Sequence, residues 1–146
     1  RLNIGLAAIY TEWSTYDDLT MTFGPTLSNR AKLPRSSEPK NWKDVWRLGL
    51  GTEYLLTERW SIQGGYVYDM DPINKSHTDT MLPPGDRHIF STGVGYTVNT
   101  WTFNGSYGLI MMKSCSRNIS NGNKSASVDF DDGFAHLIAL SVAKSF

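Results

Sequence analysis

The chain has 146 residues, the size of one ordinary domain, and its 14 Lys and Arg balance its 14 Asp and Glu, so no global charge points to nucleic acid. No apolar run approaches the roughly 18 residues of a membrane-spanning helix, but membrane β-strands leave no such run, because every second residue is free to be polar. The single cysteine, Cys115, excludes an internal disulfide framework or a cysteine metal site.

Residues 1–13 alternate Leu2, Ile4, Leu6, Ala8 and Tyr10 against smaller or polar neighbours, which predicts a first strand. The chain opens at Arg1 inside that run without a cleavable leader, so a fragment or processed product is expected. A short polar turn at 14–18 leads to a second strand over 19–23, and residues 24–41 read as a long loop with three prolines. A third strand spans 42–54, with Trp46, Leu48, Leu50 and Tyr54 opposing Lys43, Val45, Arg47, Gly49, Gly51 and Glu53. After a tight connection at 55–59 the fourth strand, 60–69, sets Trp60, Ile62, Tyr66 and Tyr68 against Ser61, Gln63, Gly65, Val67 and Asp69. A second long loop at 70–86 precedes the fifth strand, 87–98, where His88, Phe90, Val94 and Tyr96 oppose Arg87, Ile89, Gly93 and Gly95. The turn at Asn99 and Thr100 leads into the sixth strand, 101–112, with Trp101, Phe103, Tyr107, Leu109 and Met111 against Asn104, Ser106, Gly108, Ile110 and Met112. Residues 113–133 form the third long loop, rich in Ser and Asn. The seventh strand, 134–146, has a bulky face of Phe134, His136, Ile138, Leu140 and Val142, a small face of Ala135, Ala139, Ser141 and Ala143, and an aromatic C-terminus at Phe146.

Bulky faces opposing glycine-rich faces would give a soluble sandwich a thin core or a greasy surface. A barrel in lipid requires that inversion: apolar side chains outward, small or polar ones towards the lumen. The short turns near residues 16, 57 and 99 recur at close to 42 residues and alternate with the long loops, as in outer-membrane barrels. With the C-terminus periplasmic, strands one, three, five and seven run inwards and the others outwards. Aromatics then form two girdles: Trp13, Tyr54, Trp60, Tyr96, Trp101 and Phe146 near the short turns, and Trp46, Tyr66, Tyr68, Phe90 and Phe134 near the long loops.

Three blocks, residues 7–23, 41–73 and 82–98, carry a more specific pattern. Their motifs are Tyr10-Thr11-Glu12-Trp13-Ser14, Asn41-Trp42-Lys43-Asp44 and Leu82-Pro83-Pro84-Gly85-Asp86-Arg87. In order and spacing they resemble the C-terminal half of the FadL-like family of outer-membrane transporters for long-chain fatty acids and aromatic hydrocarbons. The resemblance implies an all-β, antiparallel transmembrane β-barrel in the bacterial outer membrane, with residues 1–146 supplying seven strands as the C-terminal half of a fourteen-stranded barrel. Its partners would be hydrophobic small molecules, outer-membrane lipid and the N-terminal half of the same barrel, whose plug and strands are not seen here. The implied function is passive uptake of hydrophobic molecules rather than catalysis. Two rivals are a structural or adhesion barrel binding through its long loops and an outer-membrane lipase working through His136 or Ser141.

Near the long-loop end, inward-facing Val45, Val67, Ile89, Ile110 and Met112 are apolar, above a floor of Gly49, Gly51, Gly65, Gly93, Gly95 and Gly108. A porin would place charge there, whereas a carrier of greasy ligands wants apolar walls and a few polar groups to orient a head. Lys43, Arg47 and Arg87 are the candidate head-group residues, the two arginines suiting a carboxylate. Pairing of the arginines with Asp69, Asp86 or plug carboxylates is the competing reading. The acidic cluster Asp129, Asp131 and Asp132 lacks the ligand spacing of a calcium loop, and His77, His88 and His136 share no metal-ligand spacing, so no metal or cofactor site is expected.

Overall fold

In a computed structural model, the described residues are 1–24, 35–75, 78, 84–121 and 124–145. Their strands are β1 (Leu2–Thr11), β2 (Asp18–Thr22), β3 (Arg35–Pro39), β4 (Val45–Leu55), β5 (Trp60–Asp69), β6 (Arg87–Val98), β7 (Trp101–Met112), β8 (Cys115–Asn121), β9 (Lys124–Phe130) and β10 (Gly133–Lys144). Six of them build one antiparallel sheet in the order β1-β4-β5-β6-β7-β10, while β2-β3 and β8-β9 are separate hairpins. The six staves are 10 to 12 residues long. About 9–11 residues suffice for a tilted strand to cross a bilayer.

Buried apolar side chains among the described residues are Trp42, Val45, Ile73 and Pro84, all at or beyond the long-loop end of the sheet. The sheet has no core of its own. Its bulky face is open, with Leu6 83 %, Ile138 79 % and Leu140 84 % exposed. At roughly 25 cal/mol per Å² such a surface is untenable in water and favourable in hydrocarbon.

The alternation has a direct register consequence. Leu6, Leu50, Tyr66, Phe90, Leu109 and His136 stand opposite one another on the outward face, and Gly5, Gly51, Gly65, Ser91, Gly108 and Leu137 on the inward face. The girdles form by cross-strand contact. Trp60 lies 4.5 Å from Tyr96 at the short-turn end, with the Lys144 ammonium 5.4 Å above Trp101, and at the other end Tyr10 lies 5.0 Å from Trp46 and Tyr66 5.1 Å from Phe90. Phe146 lies outside the described residues.

Three sequence expectations are corrected. The second expected strand is not a stave: β2 pairs with β3, so the sheet has six staves rather than seven. Its neighbour β1 instead pairs antiparallel with β4, Leu2 opposite Tyr54 and Thr11 opposite Val45, so it runs from the short-turn end to the long-loop end. That reverses the expected direction of the first strand and moves Trp13 to the other girdle, where it packs edge-on against Trp42 at 5.3 Å. The stretch 14–18 contains no Asn-Gly or similar pair able to turn a strand tightly, in contrast to Asn99, whose φ of 53° supplies the left-handed corner of the β6-β7 hairpin. The expected loops at 24–41 and 113–133 also carry regular structure, β3 in the first and β8-β9 in the second, because a hairpin off the membrane needs only local pairing.

Two glycines of the inward face are needed for close approach. A Cβ on Gly95 would come within 2.6 Å of Ser61 Oγ and 3.0 Å of Asn104 Oδ1, and one on Gly65 within 2.6 Å of Ser91 Oγ, whereas one on Gly51 would meet nothing within 4 Å. Gly95→Ala should therefore destabilise the wall by about 1 kcal/mol through overpacking, and Gly51→Ala by less than about 0.5 kcal/mol. Reversible guanidinium unfolding in phospholipid vesicles measures the difference, and equal midpoints for the two variants would contradict the packing argument.

Candidate ligand cleft at the long-loop end of the wall

Register sorts the inward face into rows of distinct chemistry. Just below the Thr11–Val45 pair at the long-loop end, Ile9, Arg47, Asp69, Arg87, Met112 and Gly133 lie in one row. The next row towards the short turns is apolar: Ala7, Gly49, Val67, Ile89, Ile110 and Ala135. Below the glycine row lies a polar one containing Asn3, Glu53, Gln63 and Ser106, where the Glu53 carboxylate accepts hydrogen bonds from the amides of Asn3 at 3.2 Å and Gln63 at 3.1 Å.

In the charged row, Asp69 sits between two guanidiniums. Arg47 donates to it at 3.2 Å and Arg87 Nη1 approaches the same oxygen at 3.7 Å. Two cations share one anion, which leaves the trio with one net positive charge facing the lumen. The arginine–Asp69 pairing weighed from the sequence is thus present, and among the described residues the trio keeps one net positive charge.

These three residues open into a cleft of about 280 Å³, further lined by Ile9, Thr11, Trp13, Val45, Met70 and Pro72. Two backbone bonds bring the 70–72 segment over it: Met70 N–H to Trp46 O at 3.3 Å and Lys43 N–H to Pro72 O at 2.9 Å. Asp71, between them, is buried and accepts from the backbone of Ile73 at 2.9 Å, the backbone of Gly85 at 2.8 Å and Arg117 at 3.2 Å.

Of the sequence-derived candidates, Arg47, Arg87 and Met112 share the charged row, Val67, Ile89 and Ile110 the apolar one, and Val45 lines the cleft. Lys43 precedes β4 and is exposed, held through its backbone rather than aimed into the cleft. Sequence reading missed Ile9, Thr11 and Trp13 because it placed residues 11–13 at the opposite membrane face. It missed Met70 and Pro72 because nothing in a loop composition says where its backbone will dock.

Outside the wall, two carboxylates fasten the loops. Asp44 accepts from Ser14 N–H at 2.8 Å and Tyr10 hydroxyl at 3.1 Å, and the Ser14 amide above all holds its carboxyl below the ordinary range. Burial works against ionisation of Asp86, but the Tyr68 hydroxyl at 2.5 Å, the Asp71 N–H at 2.9 Å and the charge of Lys43 outweigh it and also leave this carboxyl lowered. The proposed lipase pair does not form: His136 faces outward, sharing a 2.6 Å hydrogen bond with the Tyr107 hydroxyl, while Ser141 faces inward and accepts from Asn104 at 3.3 Å.

Residues 1–146 match the family model described as outer membrane protein transport protein (OMPP1/FadL/TodX). The chain belongs to this family. It is an outer-membrane β protein, as the FadL-like resemblance implied. A long-chain fatty acid transport protein of Escherichia coli K12 is 30 % identical over 92 residues, 62 % of this chain and 19 % of that protein. A putative outer membrane protein of Neisseria meningitidis serogroup B is 26 % identical over 91 residues, 61 % of this chain and 20 % of the relative. The crystal structure of a Pseudomonas aeruginosa FadL homologue superposes with a TM-score of 0.79 at 25 % identity, over 97 % of this chain and 31 % of that one. The matched region thus spans about a fifth of the curated relatives and about a third of the solved structure.

Because the Asp86 carboxyl titrates below its unfolded value, its bonds stabilise the loop around Asp71 at neutral pH, and that contribution is lost as pH falls through the ordinary carboxylate range and then through the lowered folded value. Limited proteolysis of this loop in the membrane-embedded protein should accelerate on acidification. Asp86→Asn should be cleaved faster already at pH 7 and respond less to acid; an unchanged pH profile in that variant would remove Asp86 from the explanation.

Proposed function

We propose that this chain forms part of the wall of an outer-membrane channel for passive entry of hydrophobic molecules that carry an anionic head, long-chain fatty acids being the class that fits best. The observation that carries this reading is the stacking of rows: a net-cationic Arg47–Asp69–Arg87 trio directly above an apolar row of Val67, Ile89 and Ile110. An amphiphile entering from the long-loop side would set its carboxylate between the guanidiniums and lay its first methylenes on the aliphatic row. Met112 and Val45 extend the apolar lining, and Lys43 supplies long-range attraction outside the cleft.

The relatives' names support this: the matching Escherichia coli protein is called a long-chain fatty acid transport protein. The open edges of β1 and β10 in the six-stranded sheet support the placement in a larger barrel, since an unpaired backbone group in hydrocarbon costs several kcal/mol. The partners that would complete the wall are further strands of the same barrel. The gradient and the ligand's own partitioning supply the driving force.

In the membrane-embedded protein, Arg47→Ala or Arg87→Ala should each weaken binding of radiolabelled oleate by about tenfold, the value of one charge-assisted hydrogen bond, and the double variant should lose more. Toluene, which has no head group, should bind all three variants alike. Oleate binding unchanged in the double variant would sink the carboxylate assignment.

A further inference from the structure

Hairpin β8-β9 stands outside the wall, yet one of its side chains reaches Asp71, between two residues that line the cleft. Arg117, on β8, donates to Asp71 Oδ2 at 3.2 Å, and both side chains are largely withdrawn from solvent, 12 % and 7 % exposed. Asp71 is flanked by Met70 and Pro72, two residues that line the cleft together with Arg47 and Arg87. Its carboxylate also gathers the amides of Ile73 and Gly85, tying the residue after Pro72 to the stretch just before β6, and a Cys115 Sγ contact to Pro84 O at 3.5 Å joins β8 to that stretch. On the wall side the segment is held by two backbone bonds, Met70 N–H to Trp46 O and Lys43 N–H to Pro72 O, and by the Asp71 N–H to the Asp86 carboxylate, which Tyr68 of β5 also holds.

We propose that Arg117 is a positioning residue for the ligand cleft: through Asp71 it braces the 70–72 roof, so that the external hairpin sets how tightly the cleft closes over a bound head group. The inference rests on the reading of the cleft as the carboxylate site. Asp71 without its guanidinium is a buried carboxylate with two backbone donors and no ion-pair partner among the described residues, a state that favours letting the segment swing towards water. The roof would then open although no residue touching the ligand had changed. Coupling of this kind is worth about 5–150-fold in affinity between two sites.

The test uses the membrane-embedded protein, with radiolabelled oleate as probe and hydrogen exchange read at the amides of Met70, Asp71 and Ile73 and at those of 115–130. Arg117→Met keeps the length of the side chain and removes its charge; Arg117→Lys keeps the charge. The brace predicts faster exchange at 70–73 and about tenfold faster oleate release in Arg117→Met, with Arg117→Lys near wild type and amides of the hairpin still protected in both. Wild-type exchange at 70–73 in Arg117→Met overturns the proposal. So does oleate release unchanged in that variant while Arg47→Ala weakens binding. Loss of protection across 115–130 in Arg117→Met would assign the residue to hairpin folding and overturn it also. Should the Arg47 and Arg87 variants bind oleate normally, the cleft reading has failed, and the exchange at 70–73 alone then decides for or against the brace.

Discussion

Backbone pairing in a medium without water governs this structure. In hydrocarbon each N–H and C=O must find its partner within the wall, so the staves are locked edge to edge and their register is not free to slip by one residue without turning every bulky side chain inward. Between its two outer edges the six-strand ladder from β1 to β10 meets that demand, and everything said of the inward face follows from it. Arg47, Asp69 and Arg87 come from three different strands, yet the ladder sets them side by side as one electrostatic unit.

Beyond the membrane the constraint relaxes and the chain organises itself by other means. Trp42 is enclosed by Trp13 at 5.3 Å and Tyr16 at 5.4 Å, and the carboxylates Asp44, Asp71 and Asp86 tie loop backbones to strand ends. These are the places where apolar side chains are buried, because only here does the protein meet water on all sides.

The sequence was legible wherever one strand carries its own signal. Bulky-outward alternation in β4 to β7 and β10 identified a membrane wall, and the inward sets containing Arg47, Val67, Ile89, Arg87, Ile110 and Met112 were readable because a period of two leaves no choice of face. The first strand was misread in direction. Residues 14–18 resemble a polar turn, and a strand's sequence does not say which of its neighbours it will join. That one error hid Ile9, Thr11 and Trp13 from the cleft.

By itself, then, the sequence determined the class of the protein, its two faces, most of its aromatic girdles and most of the inward residues, since these depend on local alternation and on composition. Only the tertiary structure decided that β1 joins β4 and that β2 leaves the wall. It also decided that Asp69 is shared by two arginines and that the backbone of residues 70–72 lies over them. The physical reason is the same in each case: these are pairings between residues distant in the chain, chosen by how the whole ladder satisfies its backbone, and no local pattern encodes them.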